Sequence, residues 1–219
     1  MKRFSSSLMF LALSFASLGA SLALENGRDY VALATPQPVE TGKKIEVREF
    51  FWYGCPHCYA LEPAINNWVK HKPANVEFVR TPATSPSWLV QAQAYYAFAA
   101  LGATERTHAA LFRAIHEQNR PLNTEPALAD FAKEQGIDPA KFREAFNSFG
   151  VRTNLERAKR MAEAYQVTSV PTFAVDGKYL TSPSMVGSEE GVLKVLDQLV
   201  QQAAKERTTG KSTGKSGAK

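Results

Sequence analysis

Cysteine is almost absent from this chain. Its 219 residues include two, Cys55 and Cys58, beside four histidines. So few cysteines exclude a disulfide-stapled scaffold. A closed zinc site is also excluded, because it needs four ligands and no second Cys/His pair stands at a suitable spacing. His108 and His116, eight apart on an expected helix, read as solvated helix residues, and no metal or cofactor is expected. No apolar run reaches the length of a membrane span, and no internal repeat is present. Excess charge is scarce once the ends are set aside. The formal net charge is +5, but Lys2 and Arg3 lie in the leader. The stretch from Lys205 holds Lys205, Arg207, Lys211, Lys215 and Lys219 against Glu206. What remains between is close to neutral and slightly acidic, which argues against nucleic-acid binding.

The leader is the first thing the chain does have. Lys2 and Arg3 precede an apolar stretch from Leu8 to Leu18, and Ser21-Leu22-Ala23 provides small residues around a cleavage point. This pattern is a secretory signal, cleaved near Ala23, and its apolar stretch is too short to span a bilayer. The mature protein is therefore expected in an oxidising compartment. At the other end, the Gly/Ser/Thr/Lys run 208–219 reads as a disordered basic tail. About 180 residues lie between, enough for one sizeable domain or a domain carrying an insertion.

The two cysteines form Cys55-Pro56-His57-Cys58, directly after the apolar run Glu49-Phe50-Phe51-Trp52-Tyr53. A strand running into a helix places the first sulfur at the helix N-terminus, where unpaired N–H groups and the helix dipole favour a thiolate. A disulfide across two residues closes a small loop and adds little stability, which favours redox chemistry over a structural cross-link. Cys55 is then the attacked sulfur when oxidised and the low-pKa thiolate when reduced. Cys58, one turn inside, is the buried partner that resolves mixed disulfides. In the intervening Pro56-His57 dipeptide, His57 can donate to the Cys55 thiolate or place positive charge beside it. A stabilised thiolate leaves readily, so the disulfide becomes an oxidant.

Ile45 to Phe51 alternates and then turns wholly apolar, as a strand entering a buried sheet does. A helix from Cys58, with Pro63 expected to kink it, and a strand over Val76–Arg80 complete a β-α-β unit. From Trp88 to Tyr165 the pattern is helical: 89–101, 104–118, a helix capped by Thr124 and ending at Gly136, one opened by Asp138-Pro139, and 154–165. The chain then returns to strand over Val170–Val175, turns at Asp176-Gly177, and pairs through Lys178-Tyr179-Leu180. Ser188 caps a closing helix. This order is an α/β, thioredoxin-like fold with an inserted all-helical domain: 24–86 and 166–207 form the thioredoxin-like part and 87–165 the insertion. Pro171 opens a strand after Val170, a position that suits a cis bond.

Phe50-Phe51 before Cys-Pro-His-Cys-Tyr, the helical insertion, and Val170-Pro171 followed by Asp176-Gly177-Lys178-Tyr179 resemble the DsbA family of periplasmic disulfide oxidases. The resemblance extends over the mature chain up to the tail. It implies that Cys55 forms the mixed disulfide with a reduced, newly exported client protein. It also implies that Val170 and a cis Pro171 lie beside Cys55 and pair with the client backbone. Glu49 matches an acidic residue near the second cysteine that helps accept its proton. Arg80 stands where the family often has lysine, so that partner keeps a permanent charge. A quinone-linked membrane oxidase of the DsbB kind is the implied reoxidant, and a monomer in the periplasm the implied form. Two alternatives stay open: a periplasmic disulfide isomerase or reductase, and a peptide-binding chaperone with an incidental dithiol. Isomerases of this kind usually add a dimerisation domain, for which the segment 24–42 is too short.

Overall fold

The computed structural model describes residues 24–213. The expected secretory leader, 1–23, and the last residues of the expected tail, 214–219, lie outside the described residues. The elements run β1 (Val31–Ala32), β2 (Ile45–Phe51), α1 (Pro56–His71) and β3 (Val76–Pro82). The helices α2 (Leu89–Ala100), α3 (Thr104–His116), α4 (Glu125–Glu134), α5 (Pro139–Phe146) and α6 (Phe149–Ala164) follow. The chain ends with β4 (Thr172–Val175), β5 (Tyr179–Thr181), α7 (Pro183–Val186) and α8 (Glu189–Thr213). Among the described residues the strands form one sheet in the order β1-β5-β4-β2-β3. β2 and β3 run parallel, as a crossover through α1 requires, and the remaining pairs are antiparallel. The expected α/β order holds, and the helical block sits between β3 and β4 as an insertion.

β2 is buried at every position. Its alternation of charged and apolar residues therefore does not mark a solvent face, and the charged side chains are paired instead. Arg48 Nε donates to Glu46 Oε1 at 2.9 Å, and its other nitrogens reach Thr81 Oγ1 at 2.6 Å and Glu40 Oε2 at 2.8 Å. Buried charge persists only where it is paired and hydrogen-bonded. On the opposite face Leu61, Ile65 and Trp68 of α1 meet Val192, Leu196 and Leu199 of α8 across the sheet residues Val47, Phe173 and Val175. The helical insertion builds its own core from Phe98, Leu111, Phe112, Phe131 and Phe142. That second core continues into Phe51, Tyr53, Cys55 and Cys58, so the dithiol is packed against the insertion.

Several boundaries differ from the sequence expectation. α1 starts at Pro56 with Cys55 as its N-cap, and Pro63 sits inside the helix without ending it. α6 begins at Phe149, five residues before the expected Asn154, because Ser148 Oγ accepts the Val151 N–H at 3.2 Å. Gly150, Val151 and Thr153 are weak helix formers, which conceals that start. α8 continues to Thr213, past the expected boundary at Arg207, with the Thr208 and Thr209 hydroxyls bonded back to helix carbonyls. The closing cap is as expected, Ser188 Oγ accepting Gly191 N–H at 2.9 Å. β4 starts at Thr172 rather than Val170, since Pro171 has no N–H to give a ladder.

The Asp176-Gly177 turn carries φ of 54° and 69°, the left-handed pair of a two-residue hairpin. A Cβ on Gly177 would lie 2.0 Å from the Gln37 carbonyl oxygen, so this position needs both the positive φ and the missing side chain. Gly177→Ala is expected to destabilise the protein by about 2 kcal/mol or more. Urea unfolding should show a lower midpoint with an unchanged slope; an unchanged midpoint would contradict the close approach.

Candidate active site

Cys55 occupies the N-cap of α1, with Pro56 in the first turn where a missing N–H costs nothing. Its Sγ accepts the backbone N–H of Cys58 at 3.4 Å, as a capping oxygen would. On its other side Cys55 Sγ–H donates to the Val170 carbonyl at 3.5 Å. Cys55 is 7% exposed, whereas Cys58 is fully enclosed. Both sulfurs are thiols here. The hydrogen bond from the Cys58 side chain is the largest influence on Cys55. Together with the backbone N–H groups of Cys58 and His57 and the His57 charge, it lowers the Cys55 pKa to about 6 against the opposing effect of burial. Cys58 moves strongly the other way, held as a thiol by its bond to Cys55 and by burial. The pair thus divides into one sulfur that ionises easily and one that keeps its proton.

The Val170–Pro171 bond is cis. Val170, Pro171 and His57 line an open cavity of about 690 Å³ together with Pro183 and Ser184 of α7 and Gly187, which caps that helix. His57 is exposed, and its imidazole faces this groove rather than the protein interior. Across Val170 a second cavity of about 430 Å³ is lined by Trp88, Ala162 and Val167. Trp52 stacks on Trp88 with ring centroids 4.5 Å apart and planes 12° from parallel. Gly54 makes that stack possible, since a Cβ there would come within 2.2 Å of the Trp52 ring.

Under the dithiol lies a buried polar cluster. Arg80 on β3 donates from Nε to Glu49 Oε2 at 3.0 Å, and from a terminal nitrogen to Glu62 Oε1 at 3.2 Å and Asn66 Oδ1 at 3.1 Å. Burial raises the Glu49 pKa to about 7 despite the Arg80 charge, and the Glu62 charge raises it further. Glu49 Oε1 has no hydrogen-bond partner among the described residues. Its charge is close enough to raise the affinity of Cys58 for its proton. Expected site residues Cys55, Pro56, His57, Val170 and Pro171 are therefore brought together around the buried Cys58, with Glu49 and Arg80 beneath them.

Two expectations need correction. His108 and His116 are not solvated. His108 is 5% exposed and bonded to Tyr53 and Glu62; His116 donates from Nε2 to the Tyr53 carbonyl at 2.7 Å and stacks on Tyr59. Both face the core because they share one side of α3 with Leu111 and Phe112. Glu62 was not anticipated at all. Its signal is its place in α1, on the same stripe as Cys58, Leu61 and Ile65, where an acid on an apolar face needs a buried partner.

A family model described as a DSBA-like thioredoxin domain matches residues 81–190, which takes in the helical block and the Val170–Pro171 segment. The thiol:disulfide interchange protein DsbA of Pseudomonas aeruginosa is 44% identical over 186 residues, 84% of this chain and 87% of the relative. The chain belongs to the DsbA family. The DsbA of Burkholderia cepacia is also 44% identical, over 179 residues, 81% of this chain and 84% of its own length. The crystal structure of Pseudomonas aeruginosa DsbA superposes with a TM-score of 0.79 at 44% identity, covering 84% of this chain and 95% of that one. The oxidoreductase DsbA from Xylella fastidiosa gives a TM-score of 0.78 at 31% identity, covering 83% and 98%. The expected thioredoxin-like fold with a helical insertion is thereby established, and this DsbA-family chain is a protein disulfide oxidoreductase.

The thiolate has a direct readout. Absorbance at 240 nm of the reduced protein should follow one ionisation near pH 6 that vanishes in Cys55→Ser. The lowered pKa makes the reduced, folded form gain stability relative to the oxidised form as pH rises from about 6 towards the range of a free thiol, a gain lost again on acidification through 6. A single transition near pH 8.5 would contradict the helix-capped thiolate.

Proposed function

We propose that this protein is a periplasmic oxidase that donates its Cys55–Cys58 disulfide to reduced, newly exported proteins through a mixed disulfide on Cys55. The observation that carries the reading is the Cys55 sulfur at the N-cap of α1, ionising near pH 6 beside a partner that holds its proton. A client thiolate attacks Cys55 Sγ, the Cys55–Cys58 bond breaks, and Cys58 leaves as a thiolate that takes a proton. Glu49, titrating near neutrality beneath it, is the group that supplies that proton and retrieves it in the reverse sense. A second client thiolate then attacks the client sulfur of the mixed disulfide, and Cys55 departs as a stabilised thiolate. The client loses two electrons and the protein gains them. Leaving-group stability at Cys55 is what makes the transfer run towards the client.

The client lies as an extended strand against Val170, whose carbonyl is 3.5 Å from the attacked sulfur. Main-chain pairing there is independent of client sequence, which suits an enzyme that meets many unfolded chains. A quinone-linked membrane oxidase of the DsbB kind restores the disulfide. Among the described residues no helix is long and apolar enough to cross a membrane.

Cys58→Ala charged through Cys55 with glutathione should pass onto a single-cysteine client as a covalent adduct. Non-reducing gels should show it accumulating with release of free glutathione; absence of the adduct would sink the mixed-disulfide route. His57→Ser should raise the Cys55 pKa and shift the glutathione redox equilibrium of the pair at least severalfold towards the disulfide, because the positive charge beside the thiolate is lost. An unchanged equilibrium would remove His57 from the tuning set.

A further inference from the structure

The buried cluster beneath the dithiol does not end at Glu62. His108, on α3 of the helical insertion, lies 3.1 Å from Glu62 Oε1 through Nε2 and 2.9 Å from the Tyr53 hydroxyl through Nδ1. Its ring is packed edge-on against Phe51, Tyr95 and Phe112 and tilted against Tyr53. Those partners decide its state. A carboxylate can only accept, so Nε2 carries a hydrogen, and the Tyr53 hydroxyl then donates to a bare Nδ1. Burial lowers the His108 pKa, in keeping with a neutral ring in this tautomer. His108 is thus a fixed donor aimed at Glu62, delivered by the insertion into the thioredoxin-like part of the molecule.

We propose that His108 is a positioning residue for thiol exchange: by holding Glu62 ionised, it divides Arg80 between two carboxylates and so sets the charge that Glu49 presents to Cys58. The proposal rests on the reading of Glu49 as the proton acceptor for Cys58. Glu62 is 5% exposed and keeps its charge through donors from His108, Arg80 and Asn66. Of these, the His108 bond is the largest influence opposing the effect of burial. Without it, burial drives a proton onto Glu62. The Arg80 charge then falls to Glu49 alone, the repulsion from Glu62 disappears, and Glu49 holds its proton less tightly. The other groups facing Glu49 stay as they are: Cys55 and Cys58 from α1, Tyr53 from the loop before it, and Tyr95 from α2.

The step that reports on Glu49 is resolution of the mixed disulfide between Cys55 and glutathione. Cys58 gives its proton to the Glu49 carboxylate, and its sulfur attacks Cys55 Sγ. The Cys55–glutathione bond breaks, and glutathione leaves as a thiolate. Cys55 carries no proton in this step, so its own ionisation drops out. Reduced protein would be mixed with oxidised glutathione, quenched with acid, and the intermediate followed by mass from pH 5 to 9. The wild-type resolution rate should fall on the acid side with a limb near pH 7.

His108→Phe keeps the aromatic packing and removes both hydrogen bonds; its acid limb should move down by about one pH unit. His108→Gln, which restores a donor towards Glu62, should return the limb towards pH 7. A His108→Phe limb that stays in place or rises, with only thermal stability reduced, overturns the proposal and leaves a structural histidine. A limb untouched by Glu49→Gln overturns the Glu49 reading and this proposal together, so the two failures are distinguishable. The wild-type protein supplies a check that needs no variant. Nitrogen-15 shifts of His108 should show the neutral Nε2–H tautomer throughout pH 5 to 8, and a charged ring in that range would equally overturn it.

Discussion

The first turn of α1 presents backbone N–H groups that no helix carbonyl can reach, and Cys55 Sγ stands where a capping oxygen would stand. A sulfur in that place gains from becoming an anion, and the gain is largest when little water competes. The rest of the structure keeps it so. The body of α1 is buried between the sheet and α8, which fixes the helix end in space. Phe51, Tyr53 and the aromatic residues of α3 enclose Cys58 and leave Cys55 a narrow opening beside Val170. Reactivity at one atom therefore depends on the packing of two cores that meet beneath it.

The second constraint is electrical. A dithiol that ionises at one sulfur must move a proton at the other, and Cys58 is fully buried. Glu49 is the buried group near enough to matter, raised by burial into the neutral range. The Arg80 charge opposes that rise without cancelling it. Glu62 shares the same guanidinium, and its charge adds to the rise. One permanent positive charge serves two carboxylates, and a neutral histidine completes the hydrogen-bonding of the second. Such a cluster is costly to bury unless every member is satisfied; the remaining free acceptor, Glu49 Oε1, is on the group assigned the proton.

Much of the fold was legible in the chain because it depends on local periodicity and on turn chemistry. The Asp176-Gly177 hairpin, the caps at Thr124, Asp138 and Ser188, and the helix breaks at Gly102 and Gly136 each follow from nearby residues. The errors arose where local signals pointed the wrong way. The charged residues of β2 gave no sign of their partners: Glu40, Glu46 and Thr81 pair with Arg48 inside the protein. Weak helix formers hid the first turn of α6. His108 and His116 looked like ordinary polar positions on a helix, because what they face comes from residues more than fifty positions earlier.

By itself the sequence determined the chemistry available: one pair of thiols at a strand-to-helix junction, a histidine between them, and no other ligands or cofactor motifs. Those facts follow from covalent spacing, which no folding alters. Only the tertiary structure decided the proton and charge environment. Val170 reaches Cys55 from 115 residues away, and Glu49, Arg80, Glu62 and His108 come from two strands and two helices. Electrostatic energies inside a protein depend on burial and on distances of a few ångströms. Those are properties of packing, and no spacing along the chain encodes them.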